Sequence, residues 1–235
     1  MTALEFAVQD VTGARLARQL GADRVELCSA LGSTGGITPS LGLIESAVAT
    51  GVPVHVLIRC RPGDFGYDED ELAVMAADAV TAMQAGAAGV VVGALTERCE
   101  VDVPALERLV EGIRLGQGQI TFHRAIDQVP DRLAALNVLR ELGITRVLTS
   151  GGAATCAEGL PALAAMVEYA GGVEIMAGGG VRVADIPALR DAGVDAIHLS
   201  ARRSVTGDAG PGGGSAPREI LDVAVATAAV AAVRE

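Results

Sequence analysis

Short runs rich in Val, Ile and Leu recur along the chain, at positions 4–8, 24–28, 54–59, 89–93, 120–123, 146–150, 174–178 and 196–200. Between them lie longer stretches in which apolar residues return every three or four positions, the spacing of a helix with one buried face. Two of these helices are expected over 12–20 and 39–50, the second with Thr38 as N-cap and Pro39 in its first turn. The phrases Leu20-Gly21, Ala85-Gly86, Leu142-Gly143 and Ala192-Gly193 each place a glycine where a helix stops and the next strand begins. Eight repeats of strand and helix in 235 residues predict an α/β fold, a single-domain (β/α)8 TIM-type barrel over 1–235. A doubly wound open sheet is the alternative, but the first strand-to-helix turn, Val8-Gln9-Asp10-Val11-Thr12-Gly13, lacks the GxGxxG fingerprint of a dinucleotide site, and no nucleotide cofactor motif occurs elsewhere. A Gly/Pro-rich stretch at about 204–217 falls after the last strand and is expected to be a flexible loop at the barrel mouth.

Composition narrows the chemistry. All 18 basic residues are arginine, so mechanisms that need a lysine amine, such as imine-forming aldolases and pyridoxal-phosphate enzymes, are excluded. The net charge of −11 argues against a nucleic-acid partner. Cys28, Cys60, Cys99 and Cys156 form no CxxC pair and suggest free thiols in a reducing compartment. The N-terminal MTALEFAV has no secretory pattern, and the apolar run 223–233 is too short to cross a bilayer. A cytoplasmic protein with no membrane partner is expected.

In such a barrel, function sits at the carboxyl ends of the strands. Glu26 and Arg59 end adjacent strands there, and are expected either as a buried ion pair or as a general acid or base beside an anion-binding guanidinium. Strand parity sends Cys28 to the same face as Glu26, and Cys60 to the face opposite Arg59. The segment Thr121-Phe122-His123-Arg124-Ala125-Ile126-Asp127 brings a histidine, an arginine and a carboxylate to one strand end. Glu26, Arg59, His123 and Asp127 are therefore the catalytic candidates. Gly178, Gly179 and Gly180 after the seventh strand, with Ser200, Arg202 and Arg124, form a candidate cradle for a small anion such as a phosphate or carboxylate. Cys28 is the candidate soft-metal ligand, and Glu26 with His123 and Asp127 would permit a divalent cation.

Eight collinear blocks resemble the CutC family, named for copper homeostasis. They include Asp23-Arg24-Val25-Glu26-Leu27-Cys28, Gly35-Gly36-Ile37-Thr38-Pro39-Ser40, Ile58-Arg59 with Gly63-Asp64-Phe65, and Gly93-Ala94-Leu95-Thr96. Thr121 to Ala125 with Asp127, Arg146 to Gly151, Gly178-Gly179-Gly180, and His198-Leu199-Ser200-Ala201 complete the set. The resemblance implies a cytoplasmic TIM-type barrel that associates as a homodimer or higher homo-oligomer and binds copper. It implies no single reaction. Where some relatives carry a cysteine on the first strand this chain has Ala7, which removes a two-thiol Cu(I) site built with Cys28. Cys60 interrupts the usual Arg-Pro-Arg-Gly-Gly-Asp-Phe pattern, here Arg59-Cys60-Arg61-Pro62-Gly63-Asp64-Phe65.

Overall fold

A computed structural model describes residues 2–114, 118–206 and 217–235. Eight parallel strands close into a barrel in chain order: β1 (Ala3–Val8), β2 (Arg24–Leu27), β3 (Val54–Leu57), β4 (Gly89–Val92), β5 (Gln119–Phe122), β6 (Arg146–Thr149), β7 (Glu174–Gly178) and β8 (Ala196–Leu199). The circle shuts where β1 pairs with β8, Glu5 standing opposite His198. Around it lie α1 (Val11–Leu20), α2 (Leu31–Thr34), α3 (Leu41–Val48), α4 (Glu69–Gln84), α5 (Val103–Arg114), α6 (Arg132–Glu141), α7 (Leu160–Tyr169), α8 (Ile186–Asp191) and α9 (Val223–Arg234). The (β/α)8 expectation holds, with strand ends within one or two residues of those read from the pattern.

Each strand alternates its side chains between the helices and the barrel interior. Leu4, Phe6, Val25, Leu27, Val54, Val56, Val90, Val92, Ile120, Phe122, Val147, Ile175 and Ile197 face the helices and form the main core. Burying each contributes about 1.5–3 kcal/mol. The glycines of the four expected stops, Gly21, Gly86, Gly143 and Gly193, all take left-handed φ, between 71° and 91°. α1 and α9 begin on the side chains of Asp10 and Asp222, and α4 on a reciprocal capping box between Asp68 and Glu71.

Two local expectations are corrected. α3 is capped by Ser40, whose hydroxyl accepts the Leu43 N–H, because Thr38 precedes Pro39 and stays extended, its hydroxyl accepting the Arg59 N–H at 2.8 Å. The expected loop at about 204–217 begins instead as strand β9 (Arg202–Val205), paired antiparallel with β10 (Arg218–Leu221); residues 207–216 lie outside the described residues. Among the described residues, no helix is long and apolar enough to cross a membrane.

Candidate active site

The inward face of the barrel carries charge. Deep inside, Arg24 Nε donates to Glu5 Oε2 at 2.7 Å and its Nη2 reaches Met176 Sδ at 3.2 Å. Arg146, 1% exposed, donates to Glu174 at 2.7 Å, Thr121 at 3.2 Å and Gln119 at 3.1 Å, and lies 3.5 Å from His55 Nδ1. Burial, joined by Arg146 and Arg24 against the opposing pull of Glu5, lowers His55 to about 4 and keeps the ring neutral. Buried guanidinium groups persist only with such partners.

One step nearer the mouth, His198 bridges two carboxylates. Its Nδ1 lies 2.7 Å from Glu5 Oε1 and its Nε2 lies 3.7 Å from Glu26 Oε2. Burial pulls against ionisation of Glu5, but the hydrogen bond and charge of His198, with Arg24, hold its carboxyl well below the usual range. Burial likewise works against a charged His198, and the Glu5 hydrogen bond and the Glu26 charge outweigh it, raising the ring. Burial pushes Glu26 up to about 7, with Glu5 adding and His198 opposing. A carboxyl poised near neutrality beside an oriented imidazole is the chemistry of a general acid or base.

Above this relay opens a cavity of about 360 Å³, large enough for a small metabolite. Glu26, Arg59, His123 and Phe65 line one side, and Gly179, Gly180, Ser200, Arg202 and Arg124 the other. Arg59 is held by three backbone carbonyls: Nη1 donates to Thr34 and Gly36 at 2.9 and 3.0 Å, and Nη2 to Gly63 at 2.8 Å. Among the described residues no carboxylate pairs with it, and its buried Nε has no hydrogen-bond partner. His123 Nδ1 accepts the Ala125 N–H at 3.2 Å, so the ring proton sits on Nε2, which is also buried without a partner. Burial, with Arg59 adding, lowers His123 to about 3. Gly93 packs against this ring, and a side chain there would collide with it.

On the other wall, Gly179 and Gly180 take φ of 122° and 64°, conformations that free the backbone to face the cavity. The Gly180 N–H makes no hydrogen bond among the described residues. Arg124 lies across Gly179, held by Asp127 at 2.8 Å and the Ser150 hydroxyl at 3.0 Å. Arg202 pairs with Glu219 at 2.7 Å. Ala201, beside Ser200, is a non-glycine residue at φ 38°, a strained corner at the edge of the site.

The CutC family model matches residues 2–203. The chain belongs to the CutC family. It is 42% identical over 204 residues to a CutC protein of Glaesserella parasuis, covering 85% of this chain and 82% of that one. It is 45% identical over 200 residues to a CutC protein of Agrobacterium fabrum, covering 84% and 78%. The crystal structure of a candidate copper homeostasis protein, CutC from Streptococcus agalactiae, superposes with a TM-score of 0.79 at 33% identity, covering 85% of this chain and 99% of that one.

Within this CutC chain the structure draws together most of the residues read from the sequence. Glu26, Arg59, His123, Arg124, Gly179, Gly180, Ser200 and Arg202 all border one cavity, while Gly178 ends β7 beneath it. The expected Glu26–Arg59 ion pair does not form; Glu26 stands level with His55 in the register, and Arg59 lies four residues further toward the mouth. Asp127 sits behind the wall, where it accepts hydrogen bonds from Thr149, Ser150, Gly152 and Arg124. Cys28 is fully buried beside Leu57 and Val91, off the cavity wall, and burial pushes its thiol well above the usual range. Cys60 packs on the helix side of β3, as parity requires. Sequence reasoning missed Glu5 as a site residue and met His198 only within the block His198-Leu199-Ser200-Ala201. The available signal was a carboxylate at an inward position of the apolar run Leu4-Glu5-Phe6-Ala7-Val8.

The titrating groups fix how stability should follow pH. His55 and His123 are held at about 4 and about 3, below the 6.5 of a free imidazole, so beneath 6.5 the unfolded chain is the better proton binder at both. Glu26, raised from 4.5 to about 7, does the reverse across that interval and offsets one of them. Stability is therefore expected to fall as the pH drops from 6.5 to 4.5, and more steeply below, where the offset ends and Glu5 joins. Above 6.5 it should fall again as Glu26 and the raised His198 lose protons that favour the fold. Urea midpoints should peak near pH 6.5; a plateau from about pH 5 to about pH 8 would contradict this balance.

Proposed function

We propose that the barrel mouth binds a small phosphorylated or carboxylated metabolite and moves a proton on it. The observation that carries this reading is Arg59, a guanidinium only 6% exposed, facing a cavity with no carboxylate partner among the described residues. A buried cation of this kind is stabilised by an incoming anion. The backbone of Gly179 and Gly180 lines the cavity between β7 and β8, where barrels of this type commonly hold phosphate. Glu26, bordering the cavity with His198 Nε2 at 3.7 Å, is the group that takes or gives the proton in this reading. Free thiols at all four cysteines support a reducing, cytoplasmic setting.

Copper homeostasis is ascribed by name to the Streptococcus agalactiae relative. The residues of this chain do not fit a copper centre. Cys28 is enclosed by Leu57 and Val91, among the described residues no second sulfur packs in that cluster, and both oxygens of Asp127 are taken by hydrogen bonds. Among the described residues, no three His, Cys, Asp or Glu side chains converge as metal ligands. No step of the proposed chemistry runs through a metal.

Inorganic phosphate, sulfate or small carboxylates are expected to raise the thermal midpoint where chloride at equal ionic strength does not, by about 2.7 kcal/mol of added stability at a hundredfold excess over Kd. Equal midpoints in every salt, together with Cu(I) binding that Cys28→Ser abolishes, would overturn this reading.

A further inference from the structure

The cavity presents two buried donors with nothing to donate to, and they stand together. Arg59 and His123 are each 6% exposed and flank one ring: Arg59 Cζ is 5.3 Å, and the His123 ring centre 4.7 Å, from the centre of Phe65. Arg59 Nε–H and His123 Nε2–H make no hydrogen bond of ordinary geometry, and neither does the buried Tyr67 hydroxyl that lies near Arg59. The remaining Arg59 nitrogens are fixed by three carbonyls and His123 by the Ala125 N–H, so neither side chain can turn away to satisfy itself elsewhere. Two orphaned donors held rigidly in one wall cost stability unless an oxygen comes to meet them.

Resting on the anion-site reading above, we infer that Arg59 Nε–H and His123 Nε2–H form an oxyanion site for the carbonyl or carboxylate oxygen of the substrate, separate from the glycine cradle. The substrate is thus a small molecule with a carbonyl group at one end and a phosphate or second carboxylate at the other. The reaction class that uses these parts is removal of a proton from the carbon next to that carbonyl. The carboxylate of Glu26 takes the proton, the C–H pair becomes a C=C bond, and the carbonyl π pair moves onto the oxygen held by the two donors. Passing that proton on to the oxygen gives the enol, an isomerisation that needs no oxidant, reductant or added group. His123 suits the role because it is a neutral imidazole that donates a hydrogen bond without surrendering its proton.

The test uses oxalate, a planar probe bearing the oxygens of an enolate, and inorganic phosphate, each titrated calorimetrically. His123→Asn and Arg59→Lys, the latter keeping the charge but losing Nε–H, are expected to weaken oxalate at least about tenfold and phosphate less than about twofold. Gly179→Ala, which crowds Arg124, should weaken phosphate about tenfold. In the unsubstituted protein, the Arg59 Nε–H resonance should shift on adding oxalate and not on adding phosphate, a readout that does not depend on any variant folding. Phosphate binding with no oxalate effect at Arg59 or His123 would overturn the oxyanion pair and leave the glycine cradle standing as the anion site. Absence of binding by either probe would overturn both.

Discussion

Glu5→Leu is expected to destabilise the barrel by about 3–5 kcal/mol, lowering the thermal midpoint by roughly 6–20 °C. The carboxylate is fully buried and holds Arg24 with one oxygen and His198 with the other, both at 2.7 Å. Its removal leaves the Arg24 guanidinium, 7% exposed, in the barrel interior without an opposite charge, and leaves the His198 Nδ1–H without an acceptor. The double variant Glu5→Leu with Arg24→Leu should recover much of the loss, because an apolar pair of matched volume costs little where a widowed charge costs most. As a control, Glu69→Ala removes the exposed partner of Arg108 and should shift stability by less than about 1 kcal/mol. Urea unfolding of the four proteins measures this directly. A Glu5→Leu loss no larger than that of the control would show that the interior relay carries no stability.

Asp127→Ala is expected to cost about 2–4 kcal/mol and to loosen the turn after β6. Its carboxylate accepts from the Thr149 hydroxyl at 2.6 Å, the Ser150 N–H and hydroxyl, each at 3.0 Å, the Gly152 N–H at 3.0 Å and Arg124 Nε at 2.8 Å. Alanine leaves those donors facing one another across a vacated centre. The effect should reach the cavity, since Arg124 would lose the anchor that lays it across Gly179. Faster amide exchange at 150–153, with weaker phosphate binding, is the expected pair of results. Unchanged exchange would mean that the turn is held by its backbone alone.

These two residues show where sequence reasoning reached and where it stopped. The barrel was legible because each strand presents an apolar face to the helices and four of the helices stop at or beside a glycine, Gly21, Gly86, Gly143 or Gly193, whose left-handed φ other residues resist. The cavity residues were legible because parity and strand ends place Glu26, Arg59 and His123 at the mouth. Depth along the barrel axis was not. The register that sets Glu26 beside His55, leaving Arg59 four residues further up, is a property of strand pairing and not of either strand alone. Asp127 reads locally as one more ionisable group near a strand end, and only the approach of the turn after β6 reveals what it organises. The β9–β10 hairpin lay hidden for a similar reason: Arg202-Arg203-Ser204-Val205 shows no apolar alternation, and its partner is distant in sequence.

The central claim is that this mouth is built for an anionic substrate, and the most direct test is a crystal of the protein soaked in inorganic phosphate. The account predicts a phosphate inside the cavity, held by the N–H groups of Gly179 and Gly180 with Arg124 or Arg202 beside it. Phosphate found only on arginines of the outer surface, with water alone in the cavity, would contradict it.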